Sequence, residues 1–185
     1  MTELLYLNDS YLKEFSAKIT AIIENKISLD RTAFFPQGGG QPSDTGTISA
    51  NGKEFSVLSV KKENGEVWHS LKETAGLSLG EQVLGKISWE RRFNLMRMHT
   101  SAHVLAAVIF GETKKMITGN QIEWPVSRMD FDAPQSFSDT DAQKIEKKTN
   151  QDLACGHEVS AFFLPREKAM QLPELVRLKG IMPPE

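Results

Sequence analysis

The sequence predicts an α+β protein: a small antiparallel β-barrel over residues 1–87, then an α+β domain over residues 88–185 built on one long helix. Three observations carry this. Apolar and polar residues alternate through much of the first half, the period of a half-buried strand. Asn51-Gly52 and Asn64-Gly65 punctuate that half, and Asn-Gly is a strong hairpin signal. From Ser88 onward the apolar spacing changes to three and four, the period of a helix.

Phe15, Ala17, Ile19, Ala21 and Ile23 mark the first long strand, and Asn25-Lys26 turns it into a second at 27–29. Further strands are expected at "TGTIS", "EFSVLSV", "EVWHSL" and "EQVLGKIS". Short strands joined by tight turns close most simply as a barrel. His69 is expected on the barrel surface, with Phe34 and Phe35 in its core. Ser88 caps the long helix. Phe93, Met96, Thr100, His103, Ala107 and Phe110 form its stripe, and Gly111 ends it. "SRMDFD" (127–132) is a strand, and Ser138 with Asp141 opens a helix through about Ala154 that Gly156 terminates. "HEVSAFFL" (157–164) reads as a strand, followed by a short helix with Pro165 at its first position.

Composition narrows the function. With 22 basic and 24 acidic residues the formal charge is −2, so bulk attraction to nucleic acid is not expected. Contact with RNA would need a local patch. Arg91, Arg92, Arg97, Lys114 and Lys115 are the candidates for phosphate contact, with solvated helix charge as the default. One cysteine, Cys155, excludes an internal disulfide and suits a reducing, cytoplasmic setting. No stretch approaches the roughly 20 apolar residues of a membrane span. The N-terminus lacks the pattern of a secretory signal.

Two segments carry chemistry. His99 and His103 stand at i and i+4, on one helix face about 6 Å apart, the spacing that offers two imidazoles to one zinc ion. Thr100 stands where a metalloprotease helix has its glutamate, so the proteolytic reading loses its base. Spacing alone leaves two packed histidines as the simpler reading. The other segment, "DRTAFFPQGGGQPSDTG" (30–46), has three consecutive glycines. They permit positive φ and close approach of backbone to a ligand, and Gln41 sets an amide beside them. Taken alone it is equally a barrel turn. No Gly-Lys-Ser/Thr follows, so a nucleotide triphosphate loop is disfavoured. Trp89 and Trp124 read as packing residues.

Together, "AFFPQGGGQPSDTG" and, about 55 residues later, "HTSAH" closely resemble the editing module of alanyl-tRNA synthetases, most of all the free-standing AlaX-type trans-editing proteins. "TGNQIEWPVSRMDFD" is similar to that family's glycine turn and Arg-x-Asp-Phe strand, and "KIEKKTNQDLACGHEV", with Asn150, to its next helix. The resemblance covers essentially the whole chain. It implies a Zn2+ ion held by His99 and His103, and hydrolysis of the aminoacyl ester of tRNA(Ala) mischarged with serine or glycine. A pocket that accepts alanine rejects an added hydroxyl by only about 10²-fold, which is why a second site is needed. Gly39, Gly40 and Gln41 would lie at the catalytic pocket or the tRNA 3′ end. Thr118 and Asn120, placed in the glycine turn, are candidates to bind the serine hydroxyl.

The family's remaining zinc ligands form a Cys-x-x-x-His motif expected beyond "LKGIMPPE", which makes this chain a fragment or a degenerate member. Cys155 and His157 are poor substitutes, since residues two apart at a helix–strand junction diverge. A metal-deficient RNA-binding or interaction module derived from the editing domain is the alternative. Gly39-Gly40-Gln41 also spells the release-factor tripeptide, but those factors carry no paired histidines.

Overall fold

The computed structural model describes residues 1–133, 135–169 and 171. The chain divides into two compact units between Met96 and Arg97.

The first unit contains β1 (Glu3–Leu4), a 3-10 turn (Leu5–Leu7), β2 (Glu14–Ile23), β3 (Lys26–Leu29), β4 (Arg31–Thr32), β5 (Gly46–Ala50), β6 (Lys53–Glu63), β7 (Glu66–Leu71) and β8 (Gln82–Ile87). Six strands form a closed antiparallel barrel in the order β2-β3-β7-β6-β5-β8, and β8 pairs back onto β2. Both Asn-Gly pairs do what their chemistry predicts. Asn51 and Gly52 take φ 49° and 74°, Asn64 and Gly65 52° and 80°, the two positive values of a type I′ hairpin turn. Phe15, Ala17 and Ile19 point inward as the alternation requires. The alternation then fails: a register shift between Ile19 and Ala21 turns Ile23 outward. Gly46 sits where the barrel wall is tightest, since a Cβ there would lie 2.1 Å from the Lys86 carbonyl oxygen.

His69 is in the barrel core and not on its surface as expected, with none of its surface exposed, on the same inward face of β7 as Val67 and Leu71. Its ring is satisfied: Nδ1 lies 3.3 Å from the Ile27 carbonyl and Nε2 2.8 Å from Thr32 Oγ1. With Nδ1–H donating to Ile27 and Thr32 Oγ1–H donating to Nε2, Thr32 Oγ1 remains the acceptor for the Phe34 N–H. In that arrangement the ring is neutral, the form that its complete burial favours.

α1 (Trp89–Thr113) begins in the first unit and crosses into the second. The Ser88 carbonyl accepts the first helical N–H, from Arg92. The helix runs past Gly111 and ends where Lys114 adopts φ 60°. Its buried positions are Arg92, Leu95, Ala102, Ala106, Val108 and Ile109, not the stripe from Phe93 to Phe110 that the spacing suggested. From Ala102 to Phe110 the helix is apolar nearly all round, so its period did not choose a face.

The second unit continues with β9 (Ile117–Gln121), β10 (Arg128–Phe131), α2 (Asp139–Ala154) and α3 (Arg166–Ala169). β9 and β10 form an antiparallel hairpin. Val108, Ile109 and Ile145 make a small core against which Leu105, Phe131 and Phe137 pack. α2 has the expected cap: Ser138 Oγ accepts from the Asp141 N–H at 3.2 Å, and Gly156 adopts φ 65°. Residues 157–164 do not form the predicted strand. Val159, Phe162 and Phe163 there are at least 70% exposed, and no strand among the described residues pairs with them. The last residues of the predicted short helix lie outside the described residues.

Arg92, read as a solvated or phosphate-binding charge, is instead 2% exposed, against Asp44 at 1%. Its Nε donates to both Asp44 carboxylate oxygens at 3.0 and 2.9 Å, and its Nη2 pairs with the same carboxylate. Nη1 donates to the Ser10 carbonyl at 2.9 Å and Nη2 to the Ala33 carbonyl at 2.6 Å. Asp44 also accepts from the Phe35 N–H at 2.6 Å.

Two stability predictions result. Burial pushes the His69 pKa down to about 4 from its ordinary 6.5, so between these values the unfolded chain binds more protons than the folded one. Stability is therefore complete above about pH 6.5 and falls towards pH 4, by roughly 3 kcal/mol. Urea unfolding across that range should show the slope, and His69→Gln should flatten it. Arg92→Met leaves the Asp44 carboxylate buried and alone, which should cost about 3–5 kcal/mol in urea unfolding. Adding Asp44→Asn should recover part of that loss, and simple additivity would contradict the pairing.

Candidate active site

The glycine segment leaves β4 and folds into its own small hairpin. The Gly38 N–H donates to the Gln41 carbonyl at 3.1 Å, and the Gln41 N–H to the Gly38 carbonyl at 3.0 Å. Gly39 and Gly40 take φ 61° and 81° between them, again a type I′ pair. The root is held on several sides. Gln37 N–H bonds the Val60 carbonyl and Asp44 N–H the Phe35 carbonyl, both at 3.0 Å, while Ser43 Oγ accepts from the Val60 N–H at 3.0 Å. Arg92 locks Asp44 from below. The result is an exposed tip of bare backbone, Gly38–Gly40, on a rigid base. Gln41 is buried at that base, 5% exposed. The expected open backbone is present, and its positive φ angles serve the turn itself.

In the second unit His99 lies on the same helical stripe as Leu95 and Ala102 and is half-buried, while His103 is exposed. The rings lie 5.0 Å apart, 5° from parallel. Burial, and secondarily the charge of His103, push the His99 pKa down. The neutral ring, the form that ligates metal, is therefore favoured. The i, i+4 spacing is the one by which a helix can offer two imidazoles to one ion, half the number a tetrahedral set needs. Among the described residues no three His, Cys, Asp or Glu side chains gather to hold a metal. Cys155, exposed at the C-cap of α2, and His157 thus join no such group.

Thr118 and Asn120 lie within β9 and not in a turn, so they share one face of the strand. Gly119 between them faces Asp130, whose Oδ2 would be 3.1 Å from a Cβ. That carboxylate is in turn held by Arg128 Nε at 2.9 Å. The turn proper is residues 122–127, where Trp124 is 54% exposed and is no packing residue. The residues missed in sequence are Arg92 and Asp44. The one available signal was that Arg92 shares the stripe of Leu95, His99 and Ala102.

Comparison with known proteins identifies the family. The family model described as tRNA synthetases class II (A) matches residues 4–91. The alanyl-tRNA editing protein AlaX-M of Saccharolobus solfataricus is 40% identical over 187 residues, covering 100% of this chain and 78% of that protein. AlaX-M of Methanosarcina mazei is 44% identical over 177 residues, 91% of this chain and 70% of its own length. The alanine–tRNA ligase of Pyrococcus abyssi is 36% identical over 172 residues, which is 92% of this chain but 19% of the ligase. A chain that shares this identity across most of both partners' lengths belongs to the AlaX-M family of alanyl-tRNA editing proteins.

Proposed function

We propose that this protein is an aminoacyl-tRNA deacylase that hydrolyses tRNA(Ala) mischarged with serine or glycine, with zinc held by His99 and His103. The observation that carries the reading is the pair of histidines one helical turn apart on α1, His99 half-buried and His103 exposed, in a chain whose relatives are alanyl-tRNA editing proteins. Water adds to the ester carbonyl carbon, the bond to the ribose oxygen breaks, and that oxygen takes a proton, releasing amino acid and tRNA. The ester is already activated, so positioning and charge stabilisation are the main demands. Bound zinc would supply a Lewis acid for the carbonyl, or lower the pKa of water towards about 7.

The remaining roles belong to the chain itself. The side-chain-free tip at Gly39-Gly40 lets a ribose or ester approach the backbone closely, and buried Gln41 braces that tip. Thr118 and Asn120, on one strand face, offer hydrogen bonds to the serine hydroxyl, which alanine lacks. No helix among the described residues is long and apolar enough to cross a membrane. We place the reaction in the cytoplasm, where charged tRNA is used and a lone thiol stays reduced.

His99→Ala and His103→Ala should each lower bound zinc, measured by metal analysis, and reduce deacylation by about 100-fold or more. Unchanged zinc and turnover in both would overturn the metal assignment. Protein that binds tRNA but takes up no zinc and releases no amino acid would assign it instead to the metal-deficient RNA-binding reading. Thr118→Val with Asn120→Ala should slow hydrolysis of the serine ester roughly tenfold and leave the glycine ester unaffected, since glycine has no hydroxyl to lose.

A further inference from the structure

Beside the start of α1 the first unit carries an aromatic ladder that the reaction above does not use. Tyr11 and Trp89 lie 5.6 Å apart between ring centroids. Trp89 and Phe93, one helical turn on, stack at 5.8 Å and 25°. Lys13 places its ammonium 4.8 Å from the Trp89 ring. Tyr11 is 59% and Phe93 38% exposed. Two exposed aromatic rings flanking a partly buried third, next to a cation, make a surface that something else can cover at a gain.

The ladder is also held in place. The Tyr11 N–H donates to Asp9 Oδ1 at 2.8 Å. The Lys13 carbonyl accepts from the Ile87 N–H at 2.9 Å, and the Ser10 carbonyl from Arg92. Arg92 thus clamps the loop bearing Tyr11 and Lys13 with the same guanidinium that holds the root of the Gly39-Gly40 hairpin.

We infer that Tyr11, Trp89 and Phe93, with Lys13, form a stacking platform for unpaired nucleotides of an RNA strand. The inference rests on the reading of this protein as one that acts on tRNA. Aromatic faces in sequence with a flanking cation are the chemistry of single-strand recognition: bases stack in any sequence, and the cation meets the phosphates beside them. Lys86 is paired with Glu14 at 3.2 Å and Arg91 donates to the Ser43 carbonyl at 3.2 Å, so Lys13 is the cation that stands at the rings themselves. A base-paired helix has its bases already stacked and offers no face to Tyr11.

The test uses the full chain in a Trp68→Phe/Trp124→Phe background, so that Trp89 alone reports. A short single-stranded RNA should quench Trp89 fluorescence, and the same strand in a blunt duplex should not. Tyr11→Ala should weaken single-strand binding roughly tenfold and Tyr11→Phe should restore it. Lys13→Gln should lower the salt dependence by about one phosphate. Binding by Tyr11→Ala equal to the parent would overturn the inference. So would light scattering that shows Tyr11→Ala dissolving a homo-oligomer, because the ladder would then be a protein interface. Deacylation is measured separately on the same proteins. If quenching persists without ester hydrolysis, the editing reading fails and the platform stands. If hydrolysis proceeds and quenching is absent, the reverse holds.

Discussion

The buried ion pair of Arg92 and Asp44 is the interaction on which the first unit's arrangement depends. Removing two charges from water costs several kcal/mol for each, so the pair persists only if every donor and acceptor is matched. Here they are. The planar guanidinium reaches one carboxylate and two backbone carbonyls, from three separate segments of chain. One side chain on the first turn of α1 therefore sets the N-terminal loop, the exit of β4 and the root of the glycine hairpin together. Lysine, with a point charge and no fork, could not make the same set of bonds.

Around that pair, rigidity and openness are assigned to different atoms. The barrel wall is closed, and its one core histidine is used up in fixed hydrogen bonds. The glycine hairpin repeats the type I′ geometry of the two Asn-Gly turns but places glycine at both positive-φ positions. Its tip therefore has no side chain at Gly39 or Gly40, yet its ends do not move freely. In the second unit the histidine pair gains order from its helix: His99 is oriented by partial burial on the packed stripe, while His103 faces outward. One imidazole is thus placed by the core and the other is reachable from solvent, a division that suits the proposed role of the pair in holding an ion.

Much of this was legible in the sequence, for identifiable reasons. Asn-Gly pairs and the alternation from Phe15 report local backbone chemistry, so the barrel strands and their turns could be read directly. Ser138 and Gly156 report the two ends of α2 for the same reason. What failed depends on distant partners. His69 alternates with Val67 and Leu71 as an inward residue would, but its polar ring argued for the surface until Thr32 and Ile27 are brought to it. The stripe of α1 was misassigned because the helix is nearly uniformly apolar after Ala102. Residues 157–164 have the composition of a strand, but a strand needs a neighbour, and none of the described residues provides one. At the candidate site, the i, i+4 histidines and the glycines were visible as local patterns. The Arg92–Asp44 clamp beneath the glycines joins residues 48 apart and left almost no local trace.

The proposed function requires that this frame remove the wrong amino acid from tRNA and spare the right one. The most direct test is the ratio of kcat/KM for seryl-tRNA(Ala) to that for alanyl-tRNA(Ala), measured on zinc-loaded protein. An editing site must add to the roughly 10²-fold selectivity of a first pocket, so the ratio should reach about 10² or more. Equal hydrolysis of the two esters, or hydrolysis of neither, would contradict it.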